Sequence, residues 1–197
     1  MKKNYLLPLL FLFTILLTSC DETAEVGKYD NWQVRNETFI DSLKQVFEAK
    51  TDPELLQIIP YAEKKYPVYA KKLTSATVGE VPLYTDSVSI FYRGMFINEI
   101  VFGKAPTPRY YTKLYSSLDV FDKNFSGDVP GEFDSPTGFW VNKVVAGWTE
   151  VLQRMKVGER WEVYIPWQQG YGSAGSGAIL GYSTLIFDIQ LKKIIRK

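Results

Sequence analysis

The chain has 197 residues, of which 46% are hydrophobic and 23% charged, so its composition is that of an ordinary globular protein rather than a disordered or collagen-like chain. Its 23 basic and 22 acidic residues nearly cancel, which argues against a nucleic-acid partner. The sequence has no histidine and a single cysteine. This excludes catalysis by an imidazole base, an intrachain disulfide and a multi-cysteine metal cage.

The first twenty residues have the pattern of an export signal. Two lysines precede an apolar run at 5–17, which is too short to span the roughly 30 Å of a bilayer core. The run ends in Leu-Thr-Ser-Cys, which resembles the lipobox of bacterial lipoproteins. The resemblance implies a signal peptide over residues 1–19 and acylation of Cys20, which would anchor the chain to a membrane of the bacterial cell envelope. A plain secretory signal is the alternative.

The next part of the chain is predicted to be a tether followed by a helical extension. Residues 20–29 are mostly polar and are expected to have no fixed structure. Apolar residues between 39 and 47 follow helical spacing, and Thr51-Asp52-Pro53 predicts the end of one helix and the start of another. With the apolar patch at 55–59, this makes 30–67 an extension of two short helices that pack on the main domain or, alternatively, on a partner.

From about residue 68 the spacing of apolar residues changes from helical to alternating. Alternation predicts strands at 87–92, 159–165 and 184–191, and helical spacing predicts one helix at 147–155. Several strands with a single helix imply an α+β domain in which a sheet curls over that helix.

Two short motifs imitate ligand sites. Residues 170–175 fit the dinucleotide pattern G-x-G-x-x-G, but a predicted strand follows instead of the helix that would meet a pyrophosphate. Residues 122–127 match the first half of a calcium loop, but Phe133 stands where the closing glutamate belongs. We interpret both segments as turns and expect no metal site.

The strongest functional signal is a series of motifs in the second half of the chain. In order, they are Tyr92-Arg93-Gly94, Val120-Phe121-Asp122, Val144-Val145-Ala146-Gly147-Trp148, residues 152–160, Ile165-Pro166 with Gly170-Tyr171-Gly172, and residues 183–189. Together they resemble the motifs of the FKBP-type peptidyl-prolyl cis-trans isomerases. The resemblance implies an FKBP-like curved antiparallel sheet wrapped around one short helix, in an isomerase domain at 68–197.

The resemblance also implies a set of site residues. The expected catalytic residues are Tyr92, Asp122 and Tyr171, and the expected substrate-binding residues are Phe121, Val144, Val145, Trp148, Ile179 and Phe187. Trp148 would form the floor under the proline ring. The Tyr171 hydroxyl and the Ile179 backbone N–H would donate to substrate carbonyls, and Asp122 would orient Tyr92 or polarise the site.

Such a site suits rotation about the bond that precedes a proline, because no covalent bond has to be made or broken. The rotation barrier of about 18–20 kcal/mol reflects lost amide resonance, so a dry apolar pocket can favour the twisted, less polar amide. Lowering the barrier by roughly 5–7 kcal/mol gives about 10⁴–10⁵-fold acceleration. The resemblance therefore predicts isomerisation of X–Pro bonds in exported polypeptides, without a metal or cofactor.

The spacing of the early motifs departs from the family. Tyr92 and Phe121 are 29 positions apart, far more than the family usually has, which implies an insertion at about 97–119. An ungapped alignment would instead place Phe102 and Gly103 at the site. We prefer Phe121 because Asp122 and a predicted turn follow it.

Two further departures concern the pocket itself. Thr137 stands near a position where the family often has phenylalanine, and residues 179–182 lack the family's prolines. These changes leave open an alternative function, a catalytically weak or inactive FKBP-like lipoprotein that binds a polypeptide partner. Three further aromatic residues, Phe91, Phe139 and Trp161, are interpreted as core residues.

Overall fold

The computed structural model describes residues 27–97 and 119–196. The predicted signal peptide, Cys20 and residues 98–118 of the predicted insertion lie outside these ranges. Within them the chain forms seven strands in one antiparallel sheet, together with two α-helices. The prediction of an antiparallel sheet with few helices is thus confirmed.

The helices and strands are, in chain order, α1 Trp32–Glu48, β1 Leu56–Ile58, β2 Val68–Thr74, β3 Ser87–Phe96, β4 Asp119–Lys123, β5 Thr137–Trp140, α2 Ala146–Leu152, β6 Arg160–Ile165 and β7 Leu185–Ile195. Short 3₁₀ helices at Val141–Lys143 and Trp167–Gln169 precede α2 and follow β6. Among the described residues, no helix combines the length and the apolar character needed to cross a bilayer.

The strand order across the sheet is β1-β2-β6-β7-β3-β4, and β5 pairs with β3 beyond the end of β4. The centre is the ladder between β3 and β7, in which Tyr92 faces Ile189 and Gly94 faces Phe187. The first five residues of β7 are all buried, because helices and loops cover both faces of the sheet there. This central ladder provides the base of the site described below.

Helix α2 lies against one face of the sheet. Its buried side is formed by Gly147, Trp148, Val151 and Leu152. A Cβ atom on Gly147 would lie 2.5 Å from the Cγ2 atom of Ile165 in β6, so only glycine allows the helix to approach so closely. The close approach places the indole of Trp148 directly on the sheet.

Helix α1 covers the opposite face. Phe39 packs against Tyr164 at 5.9 Å between ring centroids, and Phe47 packs against Tyr69 at 6.3 Å. Tyr69 and Tyr164 are partners across β2 and β6, so they share a face, whereas Ile165 beside them points toward α2. The extension therefore packs on the chain's own domain, which was one of the two interpretations.

The second predicted helix of the extension is not confirmed, because Leu56–Ile58 is instead an edge strand. In it, Leu56 pairs with Ala70 and Ile58 with Val68. The preceding Asp52 forms a turn, in which its carboxylate accepts the Glu54 N–H at 3.0 Å. A patch this short has no clear period, and the open edge of β2 provides hydrogen bonds that a single helical turn lacks.

Candidate active site

A cavity of about 590 Å³ opens between α2, the β3–β4 pair and the loop from β6 to β7. All nine residues predicted for the site line it: Tyr92, Phe121, Asp122, Val144, Val145, Trp148, Tyr171, Ile179 and Phe187. The remaining lining residues are Phe139, Lys143, Ser176 and Ala178. Residues from five separate motifs are thus brought to one place by the sheet and α2.

The base of the cavity is aromatic. Trp148 is only 4% exposed, and its ring makes edge-to-face contacts with Tyr92 at 5.6 Å, Phe139 at 5.5 Å and Phe187 at 4.9 Å. Such contacts fix the rings with respect to one another. The indole N–H is buried and has no hydrogen-bond partner within the described residues. The result is a preformed apolar floor.

The packing of two aromatic rings explains why the first motif has a glycine, Gly94. A Cβ atom at this position would lie 2.6 Å from Cζ of Phe121 and 2.7 Å from Cε1 of Phe187. The two phenylalanine rings meet above it, with centroids 5.6 Å apart. Only glycine at this position of β3 leaves room for the rings of Phe121 and Phe187, which form two walls of the cavity.

Tyr92 and Asp122 form a hydrogen-bonded pair at one side of the cavity. The Tyr92 hydroxyl donates to Oδ2 of Asp122 at 2.7 Å. Burial raises the pKa of Tyr92, and the hydrogen bond to the Asp122 carboxylate raises it further. Tyr92 is thus protonated at neutral pH, and Asp122 has the orienting contact that was one of its two expected roles.

Asn124 fixes this pair to the central ladder. Its Oδ1 accepts the Tyr92 N–H at 2.8 Å, and its Nδ2 donates to the Ile90 carbonyl at 2.9 Å and to Oγ1 of Thr137 at 2.9 Å. The segment that imitates a calcium loop is therefore a turn whose amide side chain is fully used. Within the described ranges, no group of three or more Asp, Glu, His or Cys residues is placed to hold a metal ion.

Tyr171 lies at the mouth of the cavity. Its side chain is 40% exposed, and its hydroxyl has no hydrogen-bond partner in the described part of the chain. A group in this position can donate to a ligand without breaking an internal contact.

Ile179 lines the cavity, and its N–H, the predicted donor to substrate, already has a partner within the chain. The N–H donates to the Ser176 carbonyl at 2.9 Å, and the Ser176 N–H donates to the Ile179 carbonyl at 2.8 Å. This reciprocal pair closes a turn directly after the segment that imitates a dinucleotide motif, and the next described element is β7 rather than a helix. The Ile179 N–H is thus already bonded within the loop, and its donation to a substrate carbonyl stays a prediction.

Val145 supplies a backbone donor that the sequence argument missed. Its carbonyl accepts the N–H groups of Trp148 at 2.9 Å and Thr149 at 3.1 Å, whereas its own N–H has no partner within the described residues. The resemblance implies a substrate-binding role for Val145 but assigns none to its N–H. Its position just before α2 is the signal that it has an unused amide, because the first N–H groups of a helix lack internal partners.

The interpretation of Phe139 as a core residue is wrong. Phe139 lines the cavity, and its ring lies 5.5 Å from the rings of both Tyr92 and Trp148. Phe139 pairs with Val88 on β3, two positions along β5 from Thr137. The wall that Thr137 does not provide is therefore supplied from the same strand.

An antiparallel sheet, one short helix on its face and an aromatic cavity between them define an FKBP-like domain. The chain belongs to the FKBP-type peptidyl-prolyl cis-trans isomerase family, which matches it over residues 79–192.

Two bacterial relatives and a solved structure show how far the similarity extends. The chain is 34% identical over 118 residues to the FKBP-type 22 kDa peptidyl-prolyl cis-trans isomerase of Escherichia coli K12, covering 59% of the chain and 45% of that protein. It is 31% identical over 121 residues to the outer membrane protein MIP of Legionella longbeachae, covering 61% of the chain and 41% of that protein. The chain thus spans less than half the length of these relatives. The crystal structure of FkpA from Escherichia coli shares the fold, with a TM-score of 0.56 and 21% identity, over 83% of this chain and 61% of that one.

Proposed function

We propose that the chain is a peptidyl-prolyl cis-trans isomerase that acts on X–Pro bonds of exported polypeptides. The observation that carries this proposal is the cavity, whose floor, Trp148, is 4% exposed while Tyr171 at its mouth is 40% exposed. Membership of the family over residues 79–192 supports it. The isomerase domain is assigned to 68–197, with 30–67 as an extension packed on it.

In this proposal the prolyl ring rests on Trp148, between the rings of Phe121, Phe139 and Phe187. Burial in this apolar site removes water from the amide that precedes the proline. A planar amide is more polar than a twisted one, so loss of water raises the energy of the ground state more than that of the transition state. The rotation therefore becomes faster without a metal or cofactor.

Two donors are assigned to hold the peptide while the amide turns. The Tyr171 hydroxyl and the Val145 N–H are both unpaired within the described residues and both belong to cavity-lining residues. Hydrogen bonds to the flanking carbonyls would keep the rest of the peptide still. The Asp122 carboxylate acts indirectly, since it holds the hydroxyl of Tyr92 and so the angle of that ring.

The location is proposed to be the bacterial cell envelope, with a lipid anchor at Cys20. The lipobox-like end of the first twenty residues supports this, as does the similarity to a protein named for the outer membrane. Labelling cells with a radioactive fatty acid tests the anchor. Label is expected in the wild-type chain and not in Cys20→Ala, and label retained by the variant would contradict acylation at this residue.

The proposed activity is tested with residues 21–197 added to a proline peptide whose slow cis–trans relaxation is followed optically. We expect the relaxation rate to rise in proportion to enzyme concentration. An unchanged rate at micromolar protein would rule out catalysis on simple peptides. It would favour the alternative of a catalytically inactive lipoprotein that binds a polypeptide partner, which calorimetry with the same peptides would then test.

A further inference from the structure

Both ends of the loop between β6 and β7 are held by helix α1. At the first end, Nε1 of Trp167 donates to Oε1 of Glu37 at 3.2 Å. At the second end, Nε1 of Trp32 donates to Oγ of Ser183 at 3.1 Å, and the Thr184 N–H donates to Asn36. This loop carries Tyr171 and Ile179 to the cavity, so the helix on the back of the sheet touches the part of the chain that forms the cavity mouth.

The contacts at the second end are fully buried. Asn36 and Thr184 are both 0% exposed, and Oδ1 of Asn36 accepts the Thr184 N–H at 2.7 Å. The amide group of Asn36 also donates to the Trp32 carbonyl at 2.7 Å, which fixes its orientation. Water cannot replace these hydrogen bonds, so the start of β7 and the helix are held in one arrangement.

Contacts inside the loop connect its held ends to the site residues. The Gly172 N–H, next to Tyr171, donates to the Trp167 carbonyl at 2.9 Å. Oγ of Ser183 donates to the carbonyl of Leu180, next to Ile179, at 2.7 Å. A shift of either end of the loop would therefore move a residue directly beside Tyr171 or Ile179, which line the cavity.

Helix α1 is also connected to a part of the cavity outside the loop. The ring of Trp32 lies 5.9 Å from that of Phe96, and Phe96 lies 4.6 Å from Phe121. Phe121 is a wall of the cavity. Trp32 thus connects, through the ring of Phe96, to a cavity wall that is not part of the loop.

We propose that α1 contributes to the isomerase site. Its residues Trp32, Asn36 and Glu37 are positioning residues, which hold the β6–β7 loop and Phe121 in place. The family match begins at residue 79 and does not include this helix. The inference rests on the proposed function, because its effect on rate requires that the cavity catalyse isomerisation. The position of the loop itself can be measured without catalysis.

Glu37 offers the sharpest test because it is only partly buried, so its loss is not expected to unfold the chain. Glu37→Ala removes the acceptor for Trp167, Glu37→Gln keeps a carbonyl oxygen in its place, and Val34→Ala alters a residue of the same helix that is 62% exposed. Loss of one hydrogen bond corresponds to about a two- to tenfold change. We expect kcat/KM for a proline peptide to fall by this factor in Glu37→Ala, to recover in Glu37→Gln and to stay unchanged in Val34→Ala.

A second variant tests the other end of the loop. Trp32→Phe keeps an aromatic ring beside Phe96 but removes the donor to Ser183. Because Trp32 is only 9% exposed, the variant is expected to lower the urea midpoint as well as kcat/KM, and an unchanged kcat/KM would contradict the role proposed for this end of the loop.

Amide hydrogen exchange separates positioning from general destabilisation. In Glu37→Ala we expect faster exchange at residues 171–182 and unchanged exchange in β3 and β7. Faster exchange throughout the sheet would show that Glu37 acts only on stability and would overturn the proposal. Equal exchange and equal kcat/KM in Glu37→Ala and Val34→Ala would overturn it as well. If the wild type shows no catalysis while loop exchange still rises in Glu37→Ala, the proposed function fails but α1 is still shown to hold the loop.

Discussion

Replacement of Tyr171 by phenylalanine tests whether the Tyr171 hydroxyl contacts substrate. The side chain is 40% exposed and the hydroxyl is unpaired in the described structure, so its removal leaves no buried group without a partner. We expect the free energy of unfolding to change by less than about 0.5 kcal/mol. A hydrogen bond to a peptide carbonyl contributes about 0.5–1.5 kcal/mol, so kcat/KM should fall roughly two- to tenfold.

The same replacement at Tyr92 provides a matched comparison. This hydroxyl is part of a buried side chain and donates to the Asp122 carboxylate at 2.7 Å. Loss of a hydrogen bond to a charged group should lower the free energy of unfolding by about 1.5–3 kcal/mol. Tyr171→Phe is thus expected to lose rate and keep stability, whereas Tyr92→Phe loses stability.

Two measurements separate these outcomes. The relaxation of a proline peptide gives kcat/KM, and urea unfolding followed by tryptophan fluorescence gives the free energy of unfolding. Full activity in Tyr171→Phe would refute the assigned contact with substrate. Equal destabilisation by both replacements would show that the Tyr171 hydroxyl has a structural role instead.

Three further outcomes are expected. Gly94→Ala should destabilise the chain by about 1–3 kcal/mol in urea unfolding and lower kcat/KM, because its Cβ would lie 2.6 Å from the Phe121 ring; wild-type values in both assays would contradict this. Lys143→Glu reverses a charge at the cavity, because Lys143 lines it. The kcat/KM for a peptide with Glu beside the proline, divided by the kcat/KM for the peptide with Lys there, should therefore fall several-fold. An unchanged ratio would exclude an effect of this charge on the choice of peptide. Burial raises the pKa of Glu159, but hydrogen bonds from the Lys156 N–H and from Lys72 outweigh it, so the pKa lies below its ordinary 4.5. The stability this gives is present above about pH 4.5 and is lost as the pH falls through the lowered pKa, so Glu159→Gln should be less stable in urea at pH 7 and should show a flatter pH dependence below 4.5. Parallel curves for the variant and the wild type would refute this last expectation.

Most members of the candidate site could be predicted from sequence because they belong to motifs with a local structural reason. Gly94 must be small where two phenylalanine rings meet, and Gly147 must be small where α2 touches β6. Trp148 follows directly on the buried side of that helix. Motifs of this kind are specific even when they are far apart in the chain.

Two features of the structure could not be predicted, because they depend on which backbone groups find partners. Nothing in the sequence shows that the Ile179 N–H bonds to Ser176, whereas the free Val145 N–H within the described residues could have been inferred from its position just before a predicted helix. The strand at Leu56–Ile58 likewise exists because β2 has an open edge beside it. Partners of this sort are supplied by distant segments, which periodicity within a segment does not reveal.

The position of β7 in the sheet has a consequence for how the chain folds. It is the last strand in chain order, yet it lies in the interior between β6 and β3, and it carries Phe187 to the cavity. Its ladder with β3 joins Ser87 to Ile195, and the ladder between β2 and β6 joins Tyr69 to Tyr164. Pairings between such distant residues make folding slow. Because β7 pairs with both β6 and β3, the two parts of the sheet can be joined only after this strand has been synthesised.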